Sequence, residues 1–396
     1  MPDLVLPGAL HHAHVHLDKC YLLDACCSLG DGTFDEALKK TSAAKAHFTQ
    51  ADVEARGARF IAAALAHGVV GMRAHVEVDP TVSHLCLQAG LSLRQRFASR
   101  CAVVLCAFAQ DALFYPDAAY EAHMHELLRS AASHEGVGAV GCAPYVEASR
   151  HNSLRALQFI FDLAQEFGRD VDLHIDYTLD PASPLLWDAL AMLKQHTWLV
   201  HGRTRRLTLG HATVISTFAE QDLDRLAREC KGEEVAFVAL PHSDLYMQGR
   251  DVEYSRRSRA TLPALDLARR GVRVAVDVNN VGNLFTPQGD GDPLALLPML
   301  VGVYQDATPD SLELLLQMVT TNAAYAAGFP SPASPLEPRA IDLAAELGAE
   351  GTATLLHDCA SVQEAVLAPP HGRTAWRNGR KVAERKVESW VAEEDQ

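Results

Sequence analysis

Short apolar runs alternate along this chain with longer segments whose apolar positions recur every three or four residues. The first pattern reads as buried strand and the second as amphipathic helix. An opening strand is predicted over about residues 4 to 10. A polar loop, residues 20 to 48, then leads into TQADVEARGARFIAAALAHG. There Thr49 and Asp52 have capping-box spacing, Val53, Phe60, Ile61, Ala64 and Leu65 keep one face apolar, and Gly68 supplies the stop. VVGMRAHVEV follows as a strand. The alternation continues with CAVVLCAFAQ and DAAYEAHMHELLRSAA, GVGAVGCAPYVE and SLRALQFIFDLAQEF, DVDLHIDY and SPLLWDALAMLKQH. It ends with RLTLGHA and AEQDLDRLAREC, EEVAFVALP and TLPALDLARR, and GVRVAVDVNN with TPDSLELLLQMVTTNAAYAAG. The last helix opens with Thr308 as cap and Pro309 at its first position. Strand and helix alternating through eight repeats predict an α/β fold of the (β/α)8 TIM-barrel type. An open doubly wound sheet is the alternative, but no glycine-rich phosphate loop follows the first strand.

Composition narrows the partners. The 396 residues suit one large barrel, and 48% of them are hydrophobic, enough for a folded core. A net charge of −15 argues against nucleic acid or an anionic membrane, and leaves a small-molecule substrate as the expected partner. No apolar run reaches membrane-spanning length, and the N-terminus MPDLVLPGAL lacks the pattern of a secretory signal, so a cytoplasmic location is expected. The nine cysteines form no CxxC pair, which fits reduced thiols. The absence of PCxxC also excludes the nucleobase deaminases that hold zinc through two cysteines.

The candidate chemistry begins at HHAHVHLDK, residues 11 to 19. On a strand, His14 and His16 share one face, which suits half of a zinc or iron site or, more plainly, a polar patch. In a parallel barrel the active site forms at the C-terminal strand ends. Polar residues recur there: His75, Glu77 and Asp79; Gln110 and Asp111; Tyr145 and Glu147; His174, Asp176 and Tyr177; His211; His242 and Asp244; Asp277, Asn279 and Asn280.

From PGALHHAHVHLDK to RTAWRNGRKVAE, the sequence resembles the cytosine deaminase branch of the amidohydrolase superfamily. GMRAHVEVDP, VVLCAFAQ, DVDLHIDY, LTLGHA and VAVDVNNVGN stand in the order of its strand motifs. The resemblance implies a metal-dependent hydrolase that cleaves a C–N bond of a small cyclic amide, amidine or amino-heterocycle with a metal-activated water. It implies His14, His16 and His174 as ligands of one divalent ion, zinc or iron. His211 would help activate the water, and Gln110, with Tyr177 and Asn280, would contact substrate. It also implies a barrel over residues 1–335 and a C-terminal segment, 336–396, of short strands forming a reduced β-sandwich.

Three departures stand out. Asn279 occupies the position of the expected strand-eight aspartate, with Asp277 two residues earlier on the same strand face. Tyr177 stands where a proton-shuttling glutamate is expected, with Asp176 adjacent. These positions keep the catalytic candidates open, and the neutrality of Asn279 and Tyr177 favours a rival reading, a catalytically silent barrel that binds a ligand or partner. Finally, the N-terminal strands that pair with the C-terminal ones in the family are missing, since the barrel begins at once. The exposed sheet edge leads to the expectation of a homo-oligomer.

Overall fold

In the computed structural model, residues 3–26, 28–196, 199–200, 203–250, 252–329, 351–388 and 390 are described. Eight parallel strands form the barrel: β2 (Leu10–His16), β3 (Val69–Glu77), β4 (Ala102–Ala109), β5 (Val137–Cys142), β6 (Asp170–Ile175), β7 (Leu207–His211), β8 (Val235–Ala239) and β9 (Val274–Val276). They pair in chain order, each with its successor. Strands β2, β3, β6, β7 and β8 are buried throughout, as a sheet covered on one side by helices and closed on the other must be. The eightfold alternation read from the sequence is therefore the architecture, and no described helix is long and apolar enough to cross a membrane.

Closure between the last and first strands is thin. β9 has only three residues, and one bridge, Val15 to Asn279, joins the edges, with the His16 N–H donating to the Asn279 carbonyl at 3.1 Å. The register of β2 against β3 shifts between His12 and Val15. A bulge of this kind frees a backbone donor. Asp277 accepts it: its carboxylate takes the His14 N–H at 2.6 Å, the Val278 N–H at 2.7 Å and lies 2.6 Å from His12 Nδ1. All of these groups are buried.

Four expectations need correction. The opening strand is two strands, because Gly8 and Ala9 adopt φ of 78° and 66° and turn the chain from one sheet into another. The first piece, β1 (Leu4–Pro7), pairs antiparallel with β10 (Ala353–Leu356), which continues to β11 (Arg373–Arg377) and β12 (Arg380–Arg385). The C-terminal strands thus have an N-terminal partner in β1, while β12 remains at the edge of this sheet. Residues 20 to 48 contain a helix, α1 (Phe34–Lys45), capped by the Thr33 hydroxyl on the Glu36 N–H. The final helix breaks at Thr320, and the Thr308 hydroxyl bonds Asp306 and Ser311 side chains in place of the helix backbone. Helix α2 (Gln50–Ala66) is capped by Thr49 on the Asp52 N–H, with Gly68 at φ 92° just beyond its end, as the spacing predicts.

The small sheet is tied to the barrel by buried polar contacts. Arg373 forks onto both oxygens of Asp292 at 2.7 Å, and the Thr354 hydroxyl donates to the Gly68 carbonyl. The proposed boundary between residues 335 and 336 lies outside the described residues.

Asp277→Asn keeps the side-chain volume but turns one acceptor into a donor facing another donor. It is expected to lower unfolding free energy by about 1–3 kcal/mol, the cost of a buried unsatisfied group. Urea unfolding checks this, and an unchanged midpoint would show that Asp277 does not close the barrel.

Candidate active site

The C-terminal ends of the barrel strands bring five histidines together. The rings of His14, His16 and His174 lie with centroids 4.6 to 5.3 Å apart, while His75 sits 4.0 Å from His14 and His211 5.1 Å from His174. Their nitrogens converge in two overlapping sets, His14 with His174 and His211, and His14 with His16 and His75. His14 belongs to both. Burial pushes His14, His16 and His174 well below the usual histidine range, and the neighbouring imidazoles add to the effect. They are therefore neutral, the form that ligates metal. Both nitrogens of His14, Nδ1 of His16 and Nε2 of His174 are buried without a hydrogen-bond partner. Unpaired buried donors and acceptors are costly, so the cluster fits a divalent ion, with His14 converging on His174 and His211 or on His16 and His75, while His14, His16 and His174 together are not among the converging sets of the described residues.

Above the histidines lies a small cavity of about 30 Å³. His16, His174 and His211 form its floor together with Gln110, Asn279 and Asn280. Phe34, Leu38, Tyr145, Tyr177 and Phe285 form its walls. Two of these, Phe34 and Leu38, come from α1, the helix hidden in a segment read as loop. A threonine cap followed by an acid three residues on was the signal for it: Thr33 and Glu36 have capping-box spacing, but the Thr33 N–H bonds Asp31 while Glu36 reaches further back to the N–H groups of Gly30, Asp31 and Gly32.

The other candidates divide sharply. His211 lines the cavity, and its Nδ1 is 2.8 Å from Asp244, which also accepts from Thr261 and the Leu240 N–H. Gln110 lines it too, with its Oε1 accepting from Lys19 at 3.1 Å. Asn279 points in: its Nδ2 donates to Ser243 and its Oδ1 has no partner. Tyr177 packs 4.5 Å from the His211 ring, and burial raises its hydroxyl well above 10. Asp176 is turned away, with its two oxygens capping the N–H groups of Leu185 and Leu186 at the start of α3 (Leu186–Gln195). Asp277 is turned away as well, toward His12 and the His14 backbone. Asp176, His211, Ala212 and Asn279 all adopt left-handed backbone, φ 46° to 65°, which for residues other than glycine stores strain of about 1–3 kcal/mol each. The strain clusters where the strands meet the cavity.

Lysines were not among the candidates, yet two stand beside the site. Lys19 lies 2.5 Å from Glu77, and Lys45, at the end of α1, bridges Glu77, Asp79 and Asp111 at 3.0, 2.7 and 3.1 Å. Lys19 sits in the HVHLDK motif, so spacing could have flagged it. Lys45 carried no such signal. Its position depends on how α1 folds over the barrel.

A sequence profile of the amidohydrolase family matches residues 112–338. Pterin deaminase of Rhizobium rhizogenes is 28% identical over 324 residues, spanning 80% of this chain and 69% of its own. N-isopropylammelide isopropyl amidohydrolase of a Pseudomonas species is 23% identical over 337 residues, spanning 83% of this chain and 75% of its own. Among solved structures, 5-methylcytosine deaminase from Klebsiella pneumoniae liganded with phosphonocytosine superposes with a TM-score of 0.82 at 25% identity. That match covers 98% of this chain and 88% of the other.

Burial opposes the ionised form of Glu77, but Lys19 and Lys45 hold its carboxyl down at about 2, against 4.5 when free. A carboxyl depressed in the folded state stabilises the fold above its unfolded pKa and loses that contribution as pH falls through the folded one. Its share of stability should therefore persist down to about pH 4.5 and vanish toward pH 2. In Lys45→Met the folded carboxyl should titrate higher, so the loss should be smaller and complete at a higher pH, and stability at neutral pH should drop by about 3–5 kcal/mol. Unfolding midpoints across pH check both, and a neutral-pH midpoint equal to wild type would exclude the network as a stabilising element.

Proposed function

The chain belongs to the amidohydrolase family, and from that we propose a mononuclear metal-dependent hydrolase that cleaves a C–N bond in a small cyclic amide, amidine or amino-heterocycle. The observation that carries this reading is the convergence of buried, neutral imidazoles with unpartnered nitrogens beneath an aromatic cavity. His14, His16 and His174 would hold the ion, zinc or iron. The chemistry it supplies is Lewis acidity, which brings a coordinated water toward ionisation near neutral pH.

The remaining residues position and protonate. His211 borders the cavity with Asp244 behind it, so its orientation is fixed and its outer nitrogen is aimed at the substrate side. That makes it the group that receives and returns a proton. Gln110 spends its carbonyl on Lys19 and one amide N–H on Tyr145, leaving the other for a substrate acceptor. Asn279 offers an uncharged oxygen, while Tyr177 donates its hydroxyl to the Ser243 carbonyl and presents its ring, in places where the resemblance expects acids. The similarity to deaminases and to an isopropylammelide hydrolase supports C–N cleavage as the reaction class.

The absence of a carboxylate facing the cavity among the described residues favours a second reading, a silent barrel that only binds. Turnover separates the two. Hydrolysis of any member of a panel of cyclic amides and amino-heterocycles should fall at least about a hundredfold in His211→Ala, the usual worth of an acid–base group. No turnover across the panel would leave the binding reading.

Metal analysis of the purified protein is expected to find about one zinc or iron per chain, lost on combining His14→Ala with His174→Ala. A wild-type protein free of metal after supplementation would sink the hydrolase reading. Restoring acids through Asn279→Asp with Tyr177→Glu should tighten metal retention against a chelator and raise deaminase-type turnover.

A further inference from the structure

The charges around the cavity are arranged in one direction. Among the described residues that line it, none is an aspartate or glutamate, and the one formally charged side chain is Lys19. Acids are close by, but each is engaged elsewhere. Asp176 caps a helix, Asp277 holds His12 and the His14 backbone, Asp244 holds His211 and Thr261, and Glu77 is shared by Lys19 and Lys45. At the two cavity positions best placed to carry an acid, the chain has Asn279 and Tyr177.

The walls add shape to this charge. Phe34 stands 5.3 Å from Tyr177 and 5.5 Å from Phe285, with Tyr145 6.0 Å from Tyr177 on the other side. Such a set of rings suits a planar guest. Lys19 keeps three donors, one engaged by Glu77 and one by Gln110, so a third remains for a ligand.

We propose that this cavity selects a planar ring bearing an anionic group, a ring carboxylate or an ionised imide, over neutral and cationic amino-rings. As a statement of substrate class it rests on the hydrolase reading, but the binding preference does not. A cation entering here meets a lysine, and the nearest acid, Glu77, is already shared between Lys19 and Lys45, so the cation gives up hydration for little return. An anion meets the Lys19 ammonium and the remaining Gln110 amide N–H inside a partly dehydrated pocket, where such contacts strengthen. An ion held by three neutral imidazoles would add positive charge and sharpen the same preference.

Benzoate, benzamide and benzamidinium have nearly one shape and three charges, which makes them direct probes. Titration calorimetry on the protein as purified, repeated after chelator treatment, should rank benzoate tightest and benzamidinium weakest, at least about tenfold apart in Kd. Lys19→Met should weaken benzoate and leave benzamide unchanged. Tyr177→Glu, which leaves the lysine network intact, should erase or reverse the ranking. Benzamidinium binding as tightly as benzoate in the wild type, no binding by any of the three at millimolar concentration, or a ranking untouched by Tyr177→Glu would each overturn the proposal. The two readings fail separately. A preserved ranking in a protein without metal or turnover removes the hydrolase and keeps the anion preference. Turnover of a cationic amino-ring together with an inverted ranking does the opposite.

Discussion

The site depends on one carboxylate. Three residues of β9 cannot close an eight-stranded barrel by ladder hydrogen bonds alone, and the bulge in β2 leaves the His14 N–H without a strand partner. Asp277 answers both problems, since its two oxygens reach His12, the His14 backbone and the Val278 N–H. His14 is the imidazole common to both converging donor sets, so the group that closes the barrel also aims the centre of the site. A bulge beside an active site is a common device for redirecting a side chain. Here its cost is met by a neighbour across the seam.

The same use of acids as structure recurs around the cavity. Asp176 caps a helix, Asp244 orients His211, and Glu77 with Asp79 and Asp111 anchors Lys45 and hence the helix that supplies Phe34 and Leu38. Each of these carboxylates is satisfied by donors in a dry environment, where an unpaired charge would be expensive. The cavity is left with imidazoles, amides, aromatic rings and one ammonium group. Its electrostatics follow from where the acids went, and the left-handed backbone at Asp176, His211 and Asn279 is the strain that holds these side chains at their posts.

Much of the fold was legible because its signals are local. Period-2 and period-3.6 apolar patterns, the Thr49 cap and the Gly68 stop are set by a residue and its near neighbours in sequence. The histidines were legible for the same reason, since the HVH spacing and single histidines at later strand ends need only the strand period and the rule that barrel sites lie at C-terminal ends. The helix over Phe34–Lys45 was missed although the capping-box spacing of Thr33 and Glu36 was present, because its apolar face is short and its stability comes from docking. β1 was fused with β2 although Pro7-Gly8 is a turn signal, because the apolar residues on either side read as one run.

The sequence by itself determined the barrel, its strand order and the imidazole cluster, because each follows from periodicity and chain direction. Only the tertiary structure decided which acids face the cavity, that β1 belongs to the small sheet, and that Lys19 and Lys45 stand beside the site. Those outcomes depend on contacts between residues far apart in the chain, such as His14 with Asp277 and Lys45 with Glu77. A carboxylate goes where its best-paired donors are, and no spacing along the chain records where those donors will be.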